Sequence, residues 1–93
     1  MKIVTIDPCF TKGDENLFSG EAELGAVKIT PWAIDELKKH FDSVQAVPEE
    51  MIILTNPPVE KIIVFNTGRA MIRRVASKGL AISRFEILEK ILN

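Results

Sequence analysis

The part of this sequence that most restricts the fold is residues 60–76, where two apolar runs flank the dipeptide Thr67-Gly68. Each run has the length of a β-strand, and glycine accepts the positive φ that tight hairpin turns need. The sequence therefore predicts a β-hairpin, with one strand over residues 60–66 and a second strand over residues 69–76.

The second strand of this hairpin has two different faces, because alternate residues of a strand lie on the same side. Ala70 and Ile72 are apolar, and we predict that they face the helices. The opposite, open face would then be apolar with two cations. Such a surface suits a polyanion, an acidic protein or a second sheet, or it is solvated without any ligand. The candidate binding residues of the hairpin are Phe65, Arg69, Met71 and Arg73.

The segments before the hairpin give a coarser pattern. Residues 2–6 predict a short strand, and the polar, glycine-containing residues 11–20 predict a loop. Residues 21–29 alternate in polarity but change phase after Gly25, which predicts a strand with a β-bulge at that glycine. The N-terminal part is thus expected to form two strands joined by a polar loop.

Two helices are indicated by capping residues and by the helical spacing of apolar residues. Thr30 suits the N-cap and Pro31 suits the first helical position, so the first helix is predicted from there to Phe41. The second helix occupies the C-terminal segment. Either Ser77 or Ser83 is suited to cap its start.

The order of these elements predicts the fold class. A strand over residues 50–55, ended by the proline pair of residues 57–58, completes the order β, β, α, β, β, β, α. We therefore expect an α+β fold with a curved, mainly antiparallel sheet of about five to six strands and two helices packed on one face. The length predicts a single domain over residues 1–93.

Composition limits the classes of partner and the compartment. The net charge of −1 is not the basic balance typical of a general nucleic-acid binder, although a local basic patch is compatible with it. Cys9 is the only cysteine, so no intramolecular disulfide can form, which fits a reducing cytoplasm. No apolar run approaches the roughly 20 residues of a membrane helix, and the N-terminus lacks a signal-peptide core. We expect a cytoplasmic protein with no membrane partner.

Residues 56–77, NPPVEKIIVFNTGRAMIRRVAS, resemble the central hairpin of one repeat of the TATA-box-binding-protein family. That family has an apolar strand ending IF-S-S-G-K, a second strand and then a helix. Here Arg69 stands where the family has Lys, and Ser77 stands where its Ser precedes the helix. The resemblance covers residues 21–93 and implies half of the TATA-box-binding-protein fold, with residues 1–20 as an additional strand and loop.

The same resemblance implies less about function. The family kinks DNA with pairs of phenylalanines wedged between base steps, and Phe65 occupies one such position. No aromatic residue lies near Pro48, where the other wedge is expected, and residues 73–76 (RRVA) replace the family's T-G-A-K. Because the family's domain carries two repeats that form a saddle, a single repeat would need a second copy, as a homodimer, to build one.

Other chemical groups carry no definite signal. His40 is the only histidine and has no predicted partner. Cys9 is interpreted either as a reactive thiol or as a small half-buried residue. The acids of residues 7–15 lack the spacing of a calcium loop, and Trp32 reads either as a core lid or as an exposed contact. We therefore predict no catalytic residue, no metal ligand and no cofactor.

Three functions remain from this reasoning. The first is a small non-enzymatic interaction module that dimerises or binds a protein partner through its sheet or its N-terminal loop. The second is a nucleic-acid-binding module that uses Arg69 and Arg73 for phosphates and Phe65 for stacking. The third is an enzyme or small-ligand protein, which no motif supports.

Overall fold

The computed structural model describes residues 1–9, 13 and 16–93, and it has an α+β architecture. In chain order the elements are β1 (Lys2–Pro8), β2 (Phe18–Glu23), α1 (Pro31–Leu37), β3 (Ser43–Val47), β4 (Met51–Asn56), β5 (Glu60–Phe65), β6 (Arg69–Val75) and α2 (Lys78–Leu92). The predicted fold class, an antiparallel sheet with two helices, is confirmed. No helix in the described part of the chain is long and apolar enough to cross a membrane.

All six strands form one antiparallel sheet in the order β1-β2-β6-β5-β4-β3. In the predicted hairpin, Ile62 pairs with Ile72 and Val64 pairs with Ala70, and all four side chains are buried. The two helices pack against each other over this buried face. Ala70 and Ile72 therefore face the core, as their alternation with the arginines predicts.

The core lies between this face of the sheet and one side of each helix. Helix α2 buries four residues at intervals of four, three and four, which is the spacing of one helical face. The strands contribute alternate residues, as a sheet covered on one side requires. The buried apolar residues are Ala22, Leu24, Ala33, Leu37, Phe41, Ile52, Leu54, Ile62, Val64, Ala70, Ile72, Val75, Ala81, Phe85, Leu88 and Leu92.

The second strand lies earlier in the chain than predicted. It spans Phe18–Glu23, and Gly25 lies after its end with a φ of +88°. The predicted strand over residues 21–29 is therefore correct only for residues 21–23, and the predicted bulge at Gly25 is wrong. The loop predicted over residues 11–20 is wrong for its last three residues, while residues 11, 12, 14 and 15 lie outside the described residues. The reason is pairing: β2 has β1 on one side and β6 on the other, and its pairing with β6 stops where the β5–β6 turn begins.

The first helix is shorter than predicted, and a strand follows it that the prediction omitted. The Thr30 hydroxyl accepts a hydrogen bond from the Ala33 amide at 3.1 Å, so the predicted N-cap is confirmed. The helix ends at Leu37 rather than Phe41, because the amides of Lys39 and His40 bond carbonyls only three residues back and tighten the turn. Strand β3 then pairs with β4 alone, and this tertiary pairing overrides a weak local pattern.

Glycine is required in the β5–β6 turn for two separate reasons. Gly68 has a φ of +95°, and its carbonyl accepts a hydrogen bond from the Leu24 amide at 2.8 Å. A Cβ at Gly68 would lie 2.1 Å from the carbonyl oxygen of Gly25. The predicted turn is therefore confirmed, and it also holds the segment after β2 close to the hairpin.

The remaining boundaries follow local rules. Ser77, rather than Ser83, caps α2: its hydroxyl accepts a hydrogen bond from the Leu80 amide at 3.1 Å. Strand β4 ends at Asn56, where the predicted proline pair begins, and the peptide bond between Pro57 and Pro58 is cis. The choice that the sequence left open at the start of α2 is thus settled by the Leu80 amide.

One buried carboxylate ties three parts of the fold together. Glu60 is only 9% exposed, and its Oε2 accepts hydrogen bonds from Arg84 Nε at 3.1 Å and from Asn56 Nδ2 at 2.5 Å. Asn56 Oδ1 in turn accepts from the Asp42 amide at 2.9 Å, and the Arg84 guanidinium lies 5.8 Å from the ring centre of Phe41. This network joins α2, the β4–β5 hairpin and the segment that enters β3.

We expect Gly68→Ala to lower the free energy of unfolding by about 2–4 kcal/mol, because the methyl group meets backbone and the residue keeps a positive φ. Gly79→Ala in α2 is the matched control, since a Cβ there meets no atom within 4 Å. Its change should stay within about 1 kcal/mol. Urea denaturation of both variants measures the difference, and equal effects would contradict a tight Gly68–Gly25 contact.

We expect Glu60→Ala to lower the free energy of unfolding by about 2–3 kcal/mol, because it leaves Arg84 and Asn56 without their acceptor. The control is Glu36→Ala, which removes an exposed pair with Lys39 and should lower the stability much less than Glu60→Ala does. Thermal and urea unfolding compare the two variants. A loss no larger for Glu60→Ala than for Glu36→Ala would show that the network is not structural.

Candidate interaction surface

The side of the sheet opposite the helices carries a connected set of apolar side chains. Met51 pairs with Phe65, Ile53 pairs with Ile63, and Ile63 pairs with Met71 across three neighbouring strands. All five are half-buried, while their neighbours along each strand are turned into the core. We call this side the open face and these five residues the apolar patch: Met51, Ile53, Ile63, Phe65 and Met71.

The four residues predicted to bind a partner all lie on the open face. Phe65 and Met71 belong to the apolar patch, and Arg69 and Arg73 lie on β6 on either side of Met71. Because the register puts Met71 opposite Ile63, the two arginines share that side of the sheet. The structure thus brings the four together, but it gives the two arginines different surroundings.

Arg69 lies at the end of the open face where its charge is already balanced. Its Nε lies 3.4 Å from Glu21 Oε1 and 3.5 Å from Glu23 Oε1, both on β2. These are exposed contacts of modest strength, yet two carboxylates beside one guanidinium leave no excess positive charge. Arg69 is therefore a poor anchor for a phosphate or for an additional carboxylate.

The other end of the open face carries two cations side by side. Lys61 on β5 pairs directly with Arg73 on β6, and both side chains are exposed. Within residues 1–9, 13 and 16–93, neither has an ion-pair partner. Like charges directly opposite each other destabilise a sheet, so this arrangement favours an external anion between them. We call Lys61 and Arg73 the basic pair.

A β-bulge places a second arginine next to the basic pair. Val75 pairs with Phe18 and Ile72 pairs with Gly20, so the two residues Arg73 and Arg74 lie opposite the single residue Ser19. Arg74 has a φ of +60°, which is costly for a residue with a side chain. The bulge directs consecutive arginines to the same side, whereas a regular strand would direct them to opposite sides.

Both arginines of the bulge line a groove between β1, β2 and β6 with a volume of about 490 Å³. The groove also contains the Cys9 thiol, whose sulfur lies 3.0 Å from the Ser19 hydroxyl oxygen. A smaller depression of about 170 Å³, lined by Lys61, Ile63, Met71 and Arg73, adjoins it on the open face. Arg73 contributes to both.

The other residues considered from sequence lie away from this surface or carry no further signal. Trp32 is 62% exposed on α1, so of the two sequence alternatives the exposed one is correct, and His40 is exposed after the same helix. Asp7 accepts a hydrogen bond from the Thr5 hydroxyl, and residues 14 and 15 lie outside the described residues. Among the residues that the structure describes, no three His, Cys, Asp or Glu side chains lie close enough to hold a metal ion.

Sequence reasoning missed Lys61, the bulge and the groove, and only the first two are visible in the local sequence pattern. Lys61, Ile63 and Phe65 have the same parity along β5, so the alternation argument already places Lys61 on the open face. The bulge is visible as a change of phase in β6, since buried Ala70 and Ile72 are followed by buried Val75. The groove had no local trace, because it forms only when β2 pairs with β6.

No protein-family model matches this chain, and no significant match was found among curated proteins or solved structures. What the surface does must therefore be inferred from its own chemistry. That chemistry is an apolar patch, an end at Arg69 that is neutralised by two glutamates, and an end at the basic pair that is not.

We expect Lys61→Gln and Arg73→Gln each to raise the free energy of unfolding by about 0.3 kcal/mol at low salt, because either change removes the repulsion. The double variant should gain no more than one single variant, which a double-mutant cycle measures. The gain should shrink as salt screens the charges. Additive gains, or gains unaffected by salt, would show that the two cations do not interact.

Proposed function

We propose that this protein is a small non-enzymatic interaction module whose open face binds a protein partner. The observation that carries the proposal is the apolar patch beside the basic pair, on the side of the sheet that neither helix covers. Half-buried Ile, Met and Phe side chains gain from further removal of water. A surface of this kind is typical of a site that another protein covers.

The partner's chemistry follows from the charges around the patch. A carboxylate placed between Lys61 and Arg73 would replace a like-charge contact with two attractive ones. Apolar side chains of the same partner would cover Ile63 and Met71. The proposed partner is therefore a protein segment in which apolar residues adjoin Asp or Glu, and electrostatic complementarity would set its orientation.

The element order supports a relation to half of the TATA-box-binding-protein fold, which we include in the proposal. From β2 onward the chain has a strand, the helix α1, a run of strands and the helix α2, as the resemblance implies. Gly68 lies in the turn and Phe65 lies on the open face, where the family carries its wedge. In this proposal the repeat begins with β2 at Phe18 rather than at residue 21, and β1 is an added edge strand.

A nucleic acid is the second candidate partner, and the basic pair near Phe65 is the observation in its favour. Three features weigh against it: the net charge is −1, Arg69 is neutralised, and Glu21 and Glu23 lie on the same face. These carboxylates would repel a phosphate backbone that followed the strands. A protein partner that needs only one acidic contact fits the charges better.

The proposal is tested by selecting a random peptide library, displayed on phage, against the immobilised protein. We expect the enriched peptides to combine apolar residues with Asp or Glu. Their affinity should fall about tenfold for Ile63→Thr, because part of the buried apolar surface is lost. Val59→Thr in the β4–β5 turn is the control, because it removes an exposed apolar side chain of similar size outside the patch.

The contradicting outcomes are specific. Failure to enrich peptides, or equal binding to Ile63→Thr and the wild type, would remove the open face as a protein-binding site. Sedimentation equilibrium that shows a dimer dissociated by Ile63→Thr would instead assign the face to a second copy of the chain. Anisotropy of labelled DNA or RNA with a steep salt dependence, lost in Arg73→Gln, would assign it to nucleic acid.

A further inference from the structure

The groove between β1, β2 and β6 has the dimensions of a small-molecule site. Its volume of about 490 Å³ lies within the range of ligand pockets in proteins, which is roughly 300–1,000 Å³. Its lining includes the half-buried Met71 side chain, whereas the Ile72 side chain is turned into the core. Most of the other lining residues are polar, so a ligand with an apolar part against Met71 and one charged end would match the groove.

The charged end of the groove is set up for an anion. Arg73 reaches it from the basic pair, and the bulge adds Arg74 from the same strand. A guanidinium presents several fixed N–H donors that match the oxygens of a phosphate. The strain of a positive φ at Arg74 and the repulsion between Lys61 and Arg73 both oppose folding, and a bound anion would offset the second of them.

Two carboxylates, those of Asp7 and Glu21, also line the groove, and each already has a partner. Asp7 accepts from the Thr5 hydroxyl, and Glu21 lies against Arg69. Ser19 and Cys9 form a hydroxyl–thiol contact in which either group can be the donor, so one proton remains for a ligand. An anion is therefore placed at Arg73 and Ser19, and the charge of Glu21 is balanced by Arg69.

We propose that this groove binds a phosphate monoester, with the phosphate at Arg73 and Ser19 and the organic part against Met71. Arg73 and the Ser19 hydroxyl belong to two neighbouring strands, and a tetrahedral phosphate accepts hydrogen bonds from several directions. This site differs from the proposed protein-binding site on the apolar patch, because residues of β1 and β2 form it together with residues of β6.

The only cysteine of the sequence provides a reporter inside the groove. We would measure the rate at which neutral iodoacetamide alkylates Cys9, at constant ionic strength, with increasing inorganic phosphate, glycerol phosphate or a blocked phosphoserine peptide. The rate should fall in a saturable way, about tenfold when the phosphate compound is at about ten times its dissociation constant, since only the free form reacts. A small ester that protects more strongly than the peptide identifies a free metabolite as the source, and the reverse order identifies a phosphorylated chain.

Three variants make the test specific. Arg73→Gln should abolish protection, and Lys90→Gln, which removes a cation on α2 with the same change in net charge, should retain it. Ser19→Ala should weaken protection about tenfold by removing a donor to a charged group, with each variant compared with its own unprotected rate. Absence of protection by all three compounds, or equal protection of Arg73→Gln and the wild type, would overturn the proposal.

The two proposals fail separately. Ser19→Ala alters the groove but not the apolar patch, so peptides selected on the open face should bind this variant with unchanged affinity. Ile63→Thr alters the patch but not the groove, so phosphate should still protect Cys9 in it. Loss of both activities in both variants would mean that groove and patch are one site, which contradicts the separate groove proposed here.

Discussion

The pairing of β5 with β6 is the constraint on which the rest of this structure depends. With Ile62 opposite Ile72 and Val64 opposite Ala70, every second residue of both strands is committed to the core. A slip of either strand by one residue would turn its charged residue, Lys61 or Arg73, toward the core and would expose Ile62 or Ile72. The same register therefore creates the core on one side and the open face on the other. The neighbouring strands β2 and β4 pair in register with this hairpin, so their side chains divide between the same two sides.

The parts of the fold that could be predicted from sequence are those that local chemistry determines. The β5–β6 hairpin follows from alternation and from Gly68, and α2 follows from the spacing of its apolar residues. The errors fall where a distant partner decides the outcome. Phe18–Gly20 looks like a loop until β6 pairs with it, and β3 has no clear pattern of its own because it is an edge strand with one neighbour.

The candidate site divides in the same way. The four hairpin residues could be placed on one face by parity alone, whereas their electrostatic surroundings could not. Glu21 and Glu23 distinguish Arg69 from Arg73, and they reach Arg69 only through the β2–β6 pairing. Alternation is a property of one strand, but the balance of charge on a sheet surface depends on strands far apart in sequence.

The charged side chain in the interior has partners of complementary charge or polarity, whereas the basic pair on the open face does not. Glu60, the buried charged residue of the described chain, has donors from both Asn56 and Arg84. At the basic pair, by contrast, two cations face each other and the next residue adopts a positive φ. Unfavourable local features that persist in a well-packed fold tend to mark functional surfaces. The contrast therefore separates the part of the sequence that maintains the fold from the part that we propose binds a partner.

The long-range pairing of β2 with β6 also has a consequence for the nascent chain. During synthesis β2 leaves the ribosome well before β6, so one of its edges stays without a partner while the rest of the sheet is made. Glu21 and Glu23 lie on that strand, and charged residues on an unpaired edge discourage pairing with strands of other chains. The glutamates that balance Arg69 in the finished protein would thus keep the incomplete chain from aggregating beforehand.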